Sequence, residues 1–184
     1  MPSSSEASPL KTVEEGEHLE WPVPPWSCDY LLVGEPARGG AGDLTSAFRL
    51  FLSAAKRGDS SSQINLGNFY SAGIGVKRNR ERALYWYRRA YRQGERAAAS
   101  NIGSLLKGEK QLNQALAWFE RAVNLNDGDA NLEIANIYLR RNDKVKAKRY
   151  LREVGKASAH DVTDTSKEQA QKLLKRLERE VSDE

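Results

Sequence analysis

Apolar and small residues recur along the middle of the chain in one repeated order. Residues 47–54 (AFRLFLSA), 83–90 (ALYWYRRA), 115–122 (ALAWFERA) and 147–154 (AKRYLREV) each begin with alanine, carry two bulky residues at the fourth and fifth places, and end on a small or modest one. Offsets of four and seven fall on one face of an α-helix, so each segment predicts a helix with a single packing stripe. The bulky fourth places, Leu50, Trp86, Trp118 and Tyr150, widen that stripe. A second kind of segment precedes three of these: residues 65–70 (NLGNFY), 101–106 (NIGSLL) and 133–138 (EIANIY). We call the second kind A helices and the first kind B helices.

Ala54 to Leu66, Ala90 to Ile102 and Ala122 to Ile134 are each 12 residues apart. The A-to-B spacing varies: Tyr70 to Ala83 is 13 residues, whereas Leu106 to Ala115 and Tyr138 to Ala147 are 9. The periods are therefore 36, 32 and 32, with the extra four residues in one turn that holds Gly73 and Gly75. Glycine tolerates the backbone angles that a longer turn requires. Constant spacing between units with a variable turn inside them predicts an all-α fold, an α/α solenoid of stacked helical hairpins.

Residues 65–94 carry the pattern most fully and resemble a Sel-one-like repeat, on Leu66, Gly67, Tyr70, Gly73, Gly75, Val76, Ala83, Trp86, Tyr87, Ala90 and Gly94. The two later units are more similar to tetratricopeptide helices, with Asn126 and Ser158 where earlier units have Gly58 and Gly94. The resemblance covers roughly Asp43 to Val154 and implies a solenoid that binds proteins or peptides, from families that are not enzymes. Relatives of this type act in secretion, signalling, toxin neutralisation and protein quality control. The resemblance thus implies an adaptor or scaffold, with a toxin-neutralising partner, or a regulator of a signalling or secretion protein, as the alternative.

The expected organisation is an acidic Pro- and Trp-containing arm over 1–42, repeats over 43–157 (units about 43–58, 60–94, 96–126 and 129–156) and a capping helix over 158–184. A B-type helix from about Leu44 to Arg57, with Asp43 as N-cap, has no A partner upstream. The arm, with Trp21-Pro-Val-Pro-Pro-Trp26, either caps the bare end or docks as a polyproline segment in the groove or on a partner. At the other end Thr165-Ser-Lys-Glu168 has the form of a capping box. Ala170, Leu173, Leu174, Leu177 and Val181 then form one stripe, with Lys172, Lys175, Arg176 and Arg179 around the other face.

If A helices line the inner surface, fixed offsets from the buried residues Leu66, Ile102 and Ile134 define three ladders. Two residues later stand Asn68, Ser104 and Asn136. Five later stand Ser71, Lys107 and Leu139, and two earlier Ile64, Ser100 and Leu132. An asparagine amide both donates and accepts, so it can hold a peptide backbone without demanding a sequence. Some members of the superfamily clamp a terminal carboxylate with groove lysines. Ile64, Ser100 and Leu132 occupy a key clamp position here and argue for a less acidic ligand or a folded protein.

Charge adds a second candidate surface. Of 184 residues, 29 are basic and 25 acidic, a net +4, yet residues 1–42 hold two basic and seven acidic side chains. The body is correspondingly basic, most densely at Lys77, Arg78, Arg80, Arg82, Arg88, Arg89 and Arg92, with Arg96 just beyond. Such a run predicts a solvated face, an acidic partner (the chain's own arm included) or RNA. RNA is the less favoured of these, because no regular base-reading code runs through the repeats.

No phosphate loop, HExxH, nucleophile elbow or CxxC occurs, and one cysteine with two histidines leaves no zinc set, so neither catalysis, a cofactor nor a metal is expected. Asp127 and Asp129, beside Gly128, read as helix-capping residues. His160 and Asp161 are loop residues to which no function falls. No apolar run suits a bilayer, and Met1 to Leu10 lacks the apolar block of a secretory leader. A monomer in the reducing cytoplasm is the expectation, Cys28 being the lone cysteine.

Overall fold

The structure, a computed structural model, describes residues 41–182, with side chains from Leu44 to Glu180. Residues 1–40 of the arm and the side chains of Asp43 and Val181 lie outside the described residues. Those described residues form eight α-helices and no strand: α1 Ala41–Lys56, α2 Ser60–Ala72, α3 Arg80–Tyr91, α4 Arg96–Gly108, α5 Leu112–Asn124, α6 Asp129–Arg140, α7 Lys144–Lys156 and α8 Asp164–Ser182. Each packs against the next, while α2 also meets α4 and α6 meets α8. Sequential antiparallel packing of helix after helix makes the stack an α/α solenoid. Helices α2, α4 and α6 are the A helices, and α1, α3, α5 and α7 the B helices. α1 begins at Ala41, so Asp43 is a helical residue and not the N-cap expected of it.

The core follows the repeat. Ala83, Ala115 and Ala147 are fully buried, as are Leu66, Ile102 and Ile134. The fifth places of the last three B segments, Tyr87, Phe119 and Leu151, lie inside with exposures of at most 2%, whereas Phe51 on α1 is half-buried. Burying a side chain such as Phe119 contributes about 1.5–3 kcal/mol. Trp86 is buried, and Trp118 is half-buried with its ring 5.1 Å from that of Tyr91. Leu50, their counterpart on α1, is 72% exposed. Between Phe48 and Tyr70 the rings meet edge to face at 5.6 Å, seating α1 on α2.

Turn chemistry explains the unequal periods. Asp59, Asn79 and Asp143 cap α2, α3 and α7 by accepting backbone N–H bonds from Ser62, Arg82 and Lys146. The long α2–α3 turn takes left-handed angles at Gly73 (φ 75) and Gly75 (φ 65). In the shorter turns Lys110 (φ 62) and Asn142 (φ 59) adopt that conformation without being glycine. Asn126 (φ 63) also reproduces the left-handed bend of Gly58 and Gly94. Ser158 does not: Ala157 ends α7 with extended angles (φ -66, ψ 150), and the chain turns off to α8.

α8 closes the stack. Ala170 and Leu177 join Leu132, Ala135, Leu151, Val154 and Val162 in one buried cluster, with Leu173 and Leu174 packed against it. Thr163, not Thr165, caps this helix, its hydroxyl accepting from the Ser166 N–H at 3.3 Å. Glu168 therefore plays no part in a capping box and instead pairs with Lys172 at 2.8 Å. The aspartates at the α5–α6 turn also differ from expectation. Asp127 accepts the Ser100 hydroxyl, Asp129 accepts the Thr163 N–H at 3.0 Å, and no side chain caps α6. They tie units together rather than ending a helix.

Candidate protein-binding surface

Helices α4, α6 and α8 enclose an open hollow of about 430 Å³. Three ladder residues reach it: Lys107 from α4, with Asn136 and Leu139 from α6. Glu133, Ile137 and Arg140 complete the α6 side, and α8 supplies Leu173 and Arg176. The 3.6-residue turn makes this gathering possible, since 133, 136, 137 and 140 share one helical face. Lys107 Nζ lies 2.5 Å from Glu133 Oε2, which fixes that lysine between the two A helices. Arg176 contacts Glu180 at 3.3 Å. The hollow therefore offers an aliphatic floor, one amide, three cations and one carboxylate.

The other ladder residues divide. Leu132 is 6% exposed and covered by α8, so it belongs to the core and not to the groove. Ser100 is half-buried and donates to Asp127. At the first repeat, Asn68 Oδ1 accepts from Tyr87 Oη at 2.7 Å, and the Asn101 amide lies 3.4 Å away. Ser71 Oγ sits 3.2 Å from the same phenol, so Asn68 and Ser71 orient a buried tyrosine as well as facing outward. Burial raises the Tyr87 hydroxyl above its ordinary pKa, against a lowering by the Ser71 hydrogen bond. Ser104 is exposed, and Ile64 is half-buried. Glu133, Ile137 and Arg140 lie off the three ladder offsets and join through the shared face of α6. Leu173 and Arg176 join through the placement of α8 beside α6, for which the repeat period carries no signal.

The basic run does not form one free patch. Arg80 Nε lies 2.7 Å from Glu109 Oε2, an ionic contact off the N–H axis. The Arg82 guanidinium sits 5.4 Å from the centre of the Tyr70 ring, and that of Arg89 5.7 Å from Trp86. Arg96 donates to the carbonyls of Asn126 (2.6 Å) and His160 (3.1 Å) and pairs with Asp161, locking the α5–α6 turn to the α7–α8 loop. Lys77, Arg78 and Arg92 are exposed. Among the described residues no cluster of His, Cys, Asp and Glu could hold a metal, and no helix is long and apolar enough to cross a membrane.

Comparison with known proteins places this architecture. The Sel1 repeat family matches residues 30–59, 60–95 and 96–127, over half the chain. The chain belongs to the Sel1 repeat family, whose members are typically protein-interaction scaffolds and generally non-catalytic. A Neisseria meningitidis protein, the uncharacterized NMB1327, is 31% identical over 110 residues, spanning 60% of this chain and 23% of its own length. A Sel1 repeat protein from Oxalobacter formigenes superposes with a TM-score of 0.59 at 26% identity, covering 72% of this chain and 54% of that one. The Escherichia coli protective antigen c5321, which displays an SLR fold, gives 0.54 at 21% identity, covering 62% and 26%, and supports the fold alone. The chain thus spans under a quarter of the first relative and about half of the second.

Proposed function

We propose that this chain is a non-catalytic adaptor that holds a segment of another protein on its A-helix side, with the hollow between α4, α6 and α8 as the main seat. The convergence of Lys107, Asn136 and Leu139 with Leu173 and Arg176 carries this reading. Asn136 supplies a donor and an acceptor for a peptide backbone, Leu139 and Leu173 take an aliphatic side chain, and the cations orient an acidic group. Ile64, Asn68, Ser71 and Ser104 extend the seat toward the first repeat, while Leu132 and Ser100 serve packing. A cytoplasmic setting accompanies this reading, with Cys28 as the one thiol.

The test is affinity capture from the native host, using the intact chain, Asn136→Arg in the hollow, and Gln169→Arg on the exposed side of α8. The same protein should be recovered by the intact chain and Gln169→Arg and lost with Asn136→Arg. Equal recovery by Asn136→Arg rejects the hollow as the seat.

A further inference from the structure

The B-helix side carries a basic surface that the run at 77–96 only begins. Helix α7 holds six cations and one carboxylate, and α3 holds four and one. Helical periodicity around the buried residues Ala147, Leu151 and Val154 turns Arg149, Arg152 and Lys156 outward, and all three are exposed. The same registers on α3 present Arg88 and Arg92. Lys144, Lys148, Arg152 and Lys156 succeed one another at four-residue spacing, a like-charge row that weakens a helix in isolation. Lys144 pairs with Glu180 and Lys156 with Glu153, while Lys148 and Arg152 have no ion pair among the described residues. Glu81, Glu120 and Glu153 are the carboxylates on these outward registers of α3, α5 and α7. Cations outnumber them there.

Arginine–ring contacts lie on the same side. Arg89 lies over Trp86, and one period of 32 residues later Arg121 lies over Trp118 at 4.4 Å. In the next unit the register of Arg89 and Arg121 holds Glu153, and Arg149, from the preceding position, lies 5.9 Å from the Tyr150 ring centre instead. Each guanidinium is planar and delocalised; those of Arg121 and Arg149 belong to exposed residues and that of Arg89 to a half-buried one.

We propose that this B-helix surface binds single-stranded nucleic acid, gripping phosphates with the α3 and α7 cations and stacking bases on the guanidinium planes. Phosphate contacts of this type are independent of sequence, and bases stack on arginine planes as they do on aromatic rings. The lack of a base-reading code fits a ligand held by backbone and stacking. An acidic polypeptide would match the charge but makes no use of the arginines held over Trp86 and Trp118.

Fluorescence anisotropy of labelled oligouridylate with the full chain tests this. We expect binding at low salt, with log Kd changing by about 2–3 per decade of salt, as three or four phosphate contacts give. Arg121→Gln/Arg149→Gln/Arg152→Gln should weaken binding at least tenfold with an unchanged circular dichroism spectrum, while Asn136→Arg leaves it intact and so separates this surface from the hollow. No binding at low salt, equal affinity of the triple variant, or competition by polyglutamate or anionic phospholipid vesicles as strong as by unlabelled oligouridylate overturns the proposal.

Discussion

The ring of Tyr87 rests on the backbone of Gly67, and a Cβ at that glycine would overlap Cε1, Cδ1 and Cζ. One repeat later a Cβ at Gly103 would stand 2.8 Å from Cδ1 of Phe119. In the following unit the A-helix residue is Ala135 and its B-helix counterpart Leu151, both fully buried in one cluster. As the A-helix residue gains a methyl group, the B-helix residue gives up its ring. Close approach of the two helices is therefore set by complementary sizes.

Gly67→Ala should destabilise the fold by about 1–3 kcal/mol through overpacking. Adding Tyr87→Leu, which copies the Ala135–Leu151 pair, should recover part of that loss. Urea unfolding of both singles and the double gives the coupling directly, because neighbours that share one space are not additive. Additive losses would show that the ring and the glycine do not compete.

Leu177→Ala should cost about 2–5 kcal/mol, since it opens a cavity beneath α8 beside Leu132. The exposed substitution Lys175→Ala on the same helix should stay within about 0.5 kcal/mol. Thermal unfolding followed at 222 nm separates the two. A small effect of Leu177→Ala would mean that α8 contributes little to closing the solenoid.

Lys110 holds a left-handed conformation (φ 62) that disfavours side chains. Lys110→Gly should stabilise by about 0.5–1 kcal/mol, relieving a strain of about 1–2 kcal/mol less the added freedom of the unfolded chain. Gly94→Ala, at φ 87, should destabilise by about 1 kcal/mol for the opposite reason. Chemical denaturation midpoints report both signs.

The capping carboxylates confer a definite pH dependence. The Ser62 side-chain and backbone hydrogen bonds lower the pKa of Asp59, and the Lys146 N–H lowers that of Asp143. Both groups bind a proton less readily folded than unfolded. Their stabilisation is present above the unfolded carboxylate pKa and is lost as pH falls through the lower folded values. Urea midpoints taken from about pH 6 down to about pH 3 should fall less for Asp59→Asn/Asp143→Asn than for the natural chain. Asparagine keeps the cap but does not titrate.

Much of the fold was legible because its repeat is written in side-chain size. The twelve-residue step between B and A segments, the alanines at 83, 115 and 147 and the paired glycines at 73 and 75 all have direct structural counterparts. Legibility failed where a contact depends on chain distant in sequence. Leu132 reads as a groove residue by its offset and is buried in the cluster that α7 and the returning α8 complete. Thr163 caps α8 beside its bond to Asp129, a residue 34 positions upstream, whereas the local capping-box pattern falls on Thr165. The site was less legible than the fold, since the hollow needs α8 beside α6 and the basic surface needs α3 and α7 on one side. Arg96, counted within a charge run, is tied to the distant loop at His160 and Asp161.

The central claim, that a protein ligand lies on the A-helix side, is tested most directly by hydrogen exchange of the chain alone and bound to the captured partner. Slowed exchange should concentrate on α4, α6 and α8 around Lys107, Asn136 and Leu173, with α3 and α7 little changed. Protection confined to the B helices, with the hollow exchanging as in the free chain, would contradict it.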